Sequence, residues 1–217
     1  MIASSLAVLC ALSFYSFSYV VATEHTGCYN FYLKKDKCVP AANDPKIRAC
    51  PNITAPGQTF KFQGPQPHSG KLTKRYDTAL PPYPIGSLGG RGPVCRKYDS
   101  DNEFAVCLYN GPDHRHHAPA YAGWLNEGKK SNCGKRVYVM RGGEHPDKAN
   151  TQYATVVEGC DFPTKDWSVG CAQIGLSNKL FAALKPTKKE SDQGFLDGSL
   201  IWNFDSDNGQ HTQQGPV

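Results

Sequence analysis

The chain has 217 residues, 21 of them glycine and 16 proline, with 39% hydrophobic residues and a formal net charge of +5. The low apolar share and the abundance of Gly and Pro argue against an all-helical domain and for a loop-rich β domain. The basic residues fall in scattered pairs, Lys34-Lys35, Lys129-Lys130 and Lys188-Lys189, not in a stripe, which speaks against a nucleic-acid partner and allows only a mild preference for acidic walls or acidic proteins.

Residues Ile2 to Val21 form an almost uncharged apolar run that includes Leu6, Leu9, Leu12, Phe14, Phe17 and Val20, and polar residues follow at once. Ser13, Ser16 and Ser18 interrupt the run, which is barely long enough to cross a bilayer, so it reads as a secretion signal, residues 1–22, cleaved after Ala22. Cleavage predicts a secreted, extracellular protein with no membrane contact. It also removes Cys10 and leaves Cys28, Cys38, Cys50, Cys95, Cys107, Cys133, Cys160 and Cys171. An even count in a secreted chain reads as a disulfide framework, although eight cysteines allow 105 pairings. No two of them are separated by just two residues, as a zinc knuckle requires, and no cofactor is expected.

In chain order, residues 23–75 are a cysteine-containing segment with little periodicity. Cys28 to Leu33 reads as a short strand, with Cys38 closing a small hairpin. Asn52-Ile53-Thr54 is an N-glycosylation sequon after a proline, placing Asn52 on a surface loop. Lys74-Arg75 is the kind of pair cut by kexin-like processing proteases, which makes residues 23–75 a possible pro-segment; an exposed basic pair of no consequence is the other reading. Three cysteines precede that pair and five follow, so if all eight pair within the chain, at least one bridge crosses the cut.

Residues 76–90 are a linker marked by Pro81-Pro82, Pro84 and Gly89-Gly90. Beyond it, Phe104 to Leu108 reads as a strand. Asp113-His114-Arg115-His116-His117 follows in a Pro-flanked loop, where His114 and His116, helped by Asp113, are weak metal-ligand candidates in what is otherwise a solvated polar insert. Val137 and Val139 alternate with polar neighbours as in a half-buried strand, and Ala154 to Asp161 is a second β run. Cys160 and Cys171 frame one loop and are the expected bonded pair. Ser177 is placed to cap a short helix carrying Leu180, Phe181 and Leu184, which Pro186 ends. Leu200, Trp202 and Phe204 alternate as a last strand with Trp202 in the core, and residues 206–217 read as a disordered polar tail. These elements together predict a mainly β fold: a six-stranded barrel over residues 91–205, stapled by disulfides, with one or two short helices.

The stretches Gly89 to Cys95, Ala120 to Leu125, Cys133-Gly134-Lys135, Val156 to Asp161 and Gly170-Cys171 occur in an order that resembles the kiwellins. More broadly they resemble the double-psi β-barrel proteins: barwin, the first expansin domain and rare lipoprotein A. The resemblance spans about Gly89 to Asp205. It implies a double-psi β-barrel that binds a partner in the plant apoplast or cell wall, in an encounter between plant and fungus. Related enzymes hydrolyse glycosides with paired carboxylates. In the expansin-like pattern one such acid precedes the Leu-Ser that opens the helix, and Gly175 stands there. Glu158 and Asp161 remain as weak catalytic candidates, read first as charges bonded to loop amides. The resemblance therefore points to a non-catalytic protein that binds another extracellular protein through the loops Asp113 to Trp124 and Asp161 to Trp167, with Trp124, Asp161 and Trp167 as binding candidates. The alternative is an expansin-like protein that binds and loosens wall polysaccharide; a glycoside hydrolase comes third.

Overall fold

A computed structural model describes residues 24–62, 83–84, 93–113, 118–142 and 151–217. The signal run, Lys74 and Arg75, and His114 and His116 lie outside the described residues, as does most of the linker. Among the described residues there are nine strands: β1 (Ile53–Ala55), β2 (Thr59–Phe62), β3 (Tyr83–Pro84), β4 (Ala105–Tyr109), β5 (Arg136–Arg141), β6 (Gln152–Asp161), β7 (Ile174–Ser177), β8 (Phe195–Leu196) and β9 (Leu200–Phe204). Four short helices join them: α1 (Gly27–Asp36), α2 (Trp167–Gly170), α3 (Asn178–Ala183) and α4 (Lys188–Gln193).

The strands form one mixed sheet in the order β1-β9-β5-β6-β4-β7-β2-β8, with β3 added to β6. The pairs β4/β6 and β2/β7 are parallel and the other pairs antiparallel. The expected six-stranded closed barrel is not what the chain builds. Among the described residues β1 and β8 end the sheet and do not pair with each other, so it stays open. The difference comes from the segment expected to be an appendage. It supplies β1, which pairs with β9, and β2, which pairs with β7 and β8. Strands of three and four residues carry almost no periodic signal of their own and take their identity from partners far along the chain.

The centre of the sheet is dry. Every residue of β4 is buried, as the central strand of a sheet covered on both faces should be. Trp124, Trp202 and Phe204 pack edge to face or tilted, with ring centroids 5.2–6.2 Å apart. Both indoles keep a hydrogen bond as they are buried: Trp124 Nε1 donates to the Cys171 carbonyl at 2.8 Å and Trp202 Nε1 to the Ala172 carbonyl at 2.9 Å. Adjacent carbonyls are thus clamped by two core tryptophans.

Residues 27–36 form a helix where a strand was expected. The apolar spacing explains it: Cys28, Tyr29 and Tyr32 are the buried positions, an i, i+1, i+4 pattern, and Lys34 and Lys35 lie in the last turn, where they oppose the helix dipole. The tail is also ordered, against expectation. The Val217 N–H donates to Asn132 Oδ1 at 3.0 Å, and the Val217 carbonyl accepts from Thr26 N–H and from Thr26 Oγ1. These anchors are backbone groups, so the polar composition of the tail conceals them.

Four disulfides tie the elements together: Cys28–Cys171, Cys38–Cys50, Cys95–Cys133 and Cys107–Cys160. The expected Cys160–Cys171 pair does not form. Cys107 and Cys160 lie on the adjacent strands β4 and β6 with Cα atoms 5.5 Å apart, well inside bridging distance, while Cys171 meets Cys28 on α1.

Candidate functional site

The acids come first, because they would decide between hydrolase and binder. Glu158 sits in β6 just beyond a bulge, where the β4–β6 register skips Val157 and sets Cys107 opposite Glu158. Its residue exposure is 0%, and Oε1 accepts from the Val94 and Gly159 amides, each at 2.9 Å. Glu158 thus braces the strand to the segment before Cys95, and no substrate can reach it in this conformation. Asp161 ends β6 opposite Tyr83 and is half-buried. Gly175 lies in β7, in register with Cys107; a Cβ there would fall 2.4 Å from Cys107 Sγ. The position that the resemblance gives to an acid has no space for a side chain.

The two loops expected to carry recognition do meet, but not through exposed tryptophans. Trp124 is fully buried. Trp167 opens α2 and is half-buried: its ring lies against the backbone of Gly27, where an added Cβ would fall 2.5 Å from it, and it meets Tyr109 edge to face at 6.0 Å. Asp166 caps α2, accepting from the Ser168 amide and hydroxyl at 2.7 Å each, and these bonds hold its carboxyl below the usual carboxylate range. Tyr109 links the loops, since its hydroxyl donates to the Thr164 carbonyl at 3.0 Å. Burial, reinforced by the charges of Asp161 and Asp166, pushes the phenol of Tyr109 upward, so it stays protonated and remains a donor.

The loop from Gly111 to Gly123 is fastened at its base. Gly123 N–H donates to the Asn110 carbonyl and Trp124 N–H to the Tyr109 carbonyl, while Gly27 N–H from α1 donates to the Ala122 carbonyl. Gly111 has φ +121°, and a Cβ on it would fall 2.0 Å from the Tyr121 carbonyl, so the close approach requires glycine. Asn126 Nδ2 donates to the Ala118 carbonyl at 2.9 Å and holds the loop from the other side. What this base presents is Ala118-Pro119-Ala120-Tyr121, exposed throughout, with the Tyr121 ring 45% exposed. Residues 118–121 thus offer a small exposed apolar surface with one aromatic side chain, on backbone held at Ala118, Ala122 and Gly123. The arrangement supplies no acid pair, and among the described residues no group of three or more His, Cys, Asp or Glu could hold a metal ion. Nor is any helix among them long and apolar enough to cross a membrane.

No family model matches this sequence, and no curated protein does. A search of solved structures finds a Streptomyces papain inhibitor. It is 16% identical, the match covers 69% of this chain and 93% of that one, and the TM-score is 0.36.

Tyr121 and Tyr109 were absent from the candidates read from the sequence. Tyr109 ends a β-type apolar run and gave no reason to stand apart from it. Tyr121 lies between alanine and proline residues in a stretch without period, and only the sequence Pro119-Ala120-Tyr121-Ala122-Gly123, a turn ending in glycine, hinted at a presented side chain.

Proposed function

We propose that this is a secreted, non-catalytic interaction protein of kiwellin-like type. It acts in the apoplast between plant and fungus by binding another extracellular protein. The observation that carries this reading is the exposed Tyr121 on a backbone held by Gly111, Gly123 and Asn126. Aromatic side chains dominate binding hot spots, and a backbone already fixed loses little entropy on association. The burial of Glu158 and the filled space around Gly175 support a binder over a hydrolase.

The test combines two assays on the full secreted chain. The protein is incubated with insoluble cellulose, chitin and plant cell wall, and both depletion from solution and released sugar are measured. In parallel, wild type and Tyr121→Ala are used to capture partners from apoplastic fluid. The expected result is no depletion, no released sugar, and one protein retained by wild type and reduced at least ~10-fold by Tyr121→Ala, the effect of losing a hot spot. Depletion without release would favour the expansin-like polysaccharide binder. Sugar release, or capture unaffected by Tyr121→Ala, would overturn the reading.

A further inference from the structure

A cleft of about 350 Å³ opens beside β1, β5 and β9, away from the residues of the Tyr121 loop. Its lining is polar and aromatic: Asn52, Tyr138, Tyr153, Asn203, Asp205 and Asp207 contribute to it. Tyr153 is 44% exposed and carries the Arg136 guanidinium over its ring at 5.0 Å, and Arg136 in turn pairs with Asp205. An exposed phenol ring, Tyr153, beside a half-buried one, Tyr138, with amides and carboxylates around them, is the chemistry that holds a sugar, with ring C–H groups on the aromatic face and hydroxyls on the polar groups.

Asn52 is the sequon asparagine. Its Oδ1 accepts from Tyr138 Oη at 2.6 Å and from Asn203 Nδ2 at 3.4 Å, which fixes the amide plane. Asn52 itself is exposed, and among the described residues no hydrogen bond engages its Nδ2, the atom that oligosaccharide transfer modifies. Thr54, the third sequon residue, is the outward position of β1. β1 also ends the sheet among the described residues, and a terminal strand is a template for unwanted pairing unless something covers it.

We propose that this cleft is the seat of the protein's own N-linked glycan. Asn52 Nδ2 bonds to the anomeric carbon of a lipid-pyrophosphate-linked oligosaccharide. The anomeric C–O bond breaks, the pyrophosphate leaves with its electron pair, and the amide gives up one proton. The first N-acetylhexosamine then lies in the cleft against Tyr138 and Tyr153 and shields the open end of the sheet at β1. This glycan is a built-in structural part, independent of any partner bound at Tyr121.

The experiment uses the full chain secreted from a eukaryotic host. Peptide mass mapping reads the occupancy of Asn52. One sample is then treated with an amidase, which removes the whole glycan by hydrolysing the side-chain amide and so converts Asn52 to aspartate, and another with an endoglycosidase that leaves the first sugar on an intact amide. Melting temperatures are compared, with Thr54→Ala as a genetic route to the bare asparagine and Tyr153→Ala as a probe of the cleft. The expected result is an occupied Asn52, an unchanged Tm when one sugar is left, and a fall of roughly 2–4 °C when none is left. In Tyr153→Ala that difference shrinks or vanishes. An unmodified Asn52, or a Tm that is the same with the full glycan, one sugar and none, would overturn the proposal. If Thr54→Ala fails to fold, Asn52→Gln supplies a second protein without glycan and without a new carboxylate, and its Tm is compared with that of the one-sugar sample.

Discussion

Gly175 and Cys107 face each other across β7 and β4, so close that a single added carbon on Gly175 would meet the Cys107 sulfur at 2.4 Å. Phe62 and Cys160 close the same space at 3.3 and 3.5 Å. Placing an acid at this position therefore cannot supply a catalytic group. Gly175→Asp is expected to cost roughly 3 kcal/mol or more, from overpacking and from burying a carboxylate. Denaturant midpoints measure the loss, and the sugar-release assay is expected to stay at background. A well-folded Gly175→Asp protein that releases sugar would contradict both points.

Glu158 makes a different prediction because one oxygen of its carboxylate, Oε1, is held by two amides. Glu158→Gln keeps an acceptor oxygen and is expected to cost roughly 1–2 kcal/mol, while Glu158→Ala leaves two buried amides unpaired and costs roughly 3 kcal/mol. Neither change is expected to alter partner capture at a temperature where both variants are folded. A loss of capture by folded Glu158→Gln would give this residue a role beyond bracing.

Trp167 and Tyr121 separate packing from presentation. Trp167→Ala removes the ring that lies on Gly27 and Tyr109 and is expected to lower stability by roughly 2–3 kcal/mol. Tyr121→Ala removes an exposed ring and is expected to stay within about 0.5 kcal/mol of wild type. The binding assay should reverse this order, with Tyr121→Ala losing more than Trp167→Ala. Thermal melts and capture on the same two preparations check both halves.

Glu190 links stability to pH. Its carboxylate receives the Arg141 guanidinium at 2.6 Å, the Asp197 amide at 2.8 Å and the Thr187 amide at 2.6 Å in a capping box, and it lies 2% exposed. The Arg141 bond above all holds its pKa down to about 2. A depressed folded pKa means that the stabilisation is complete above the unfolded value near 4.5 and is lost as the pH falls through about 2. The Tm gap between wild type and Glu190→Gln is therefore expected to be full above pH 4.5 and to close towards pH 2, with Glu190→Ala costing roughly 2–3 kcal/mol at neutral pH. A gap that is independent of pH over this range would show that the charge contributes nothing.

The sequence made some of this legible through local signals. Ser177 does cap a helix, accepting from the Leu180 amide, and Trp202 is fully buried in β9, as its alternation predicts. Long-range relationships were hidden. Cys160 seemed to belong with Cys171 because they are neighbours in sequence, but bridging depends on where two Cα atoms come to lie, and β4 brings Cys107 to Cys160 instead. Trp167 looked exposed because its loop is polar. The absent side chain of Gly27, 140 positions earlier, is what lets it pack. Tyr121 was missed because presentation depends on how the loop base is fastened, and apart from the Asn126 side chain those bonds are made by backbone atoms, which no residue type announces.

The Cys28–Cys171 bridge and the β1–β9 pairing also set an order of events during biosynthesis. Ile53 finds its partner Trp202 only after nearly the whole chain has emerged, and Cys28 must remain reduced, or be released from a premature bond, until Cys171 arrives. Such distant closures are slow, because the intervening chain has to be brought together before any contact repays it. The segment from Cys28 to Ala55 is therefore made early and waits with an unsatisfied thiol and strand edge. This interval, before the last strand is delivered, is where isomerases and chaperones have the most to do.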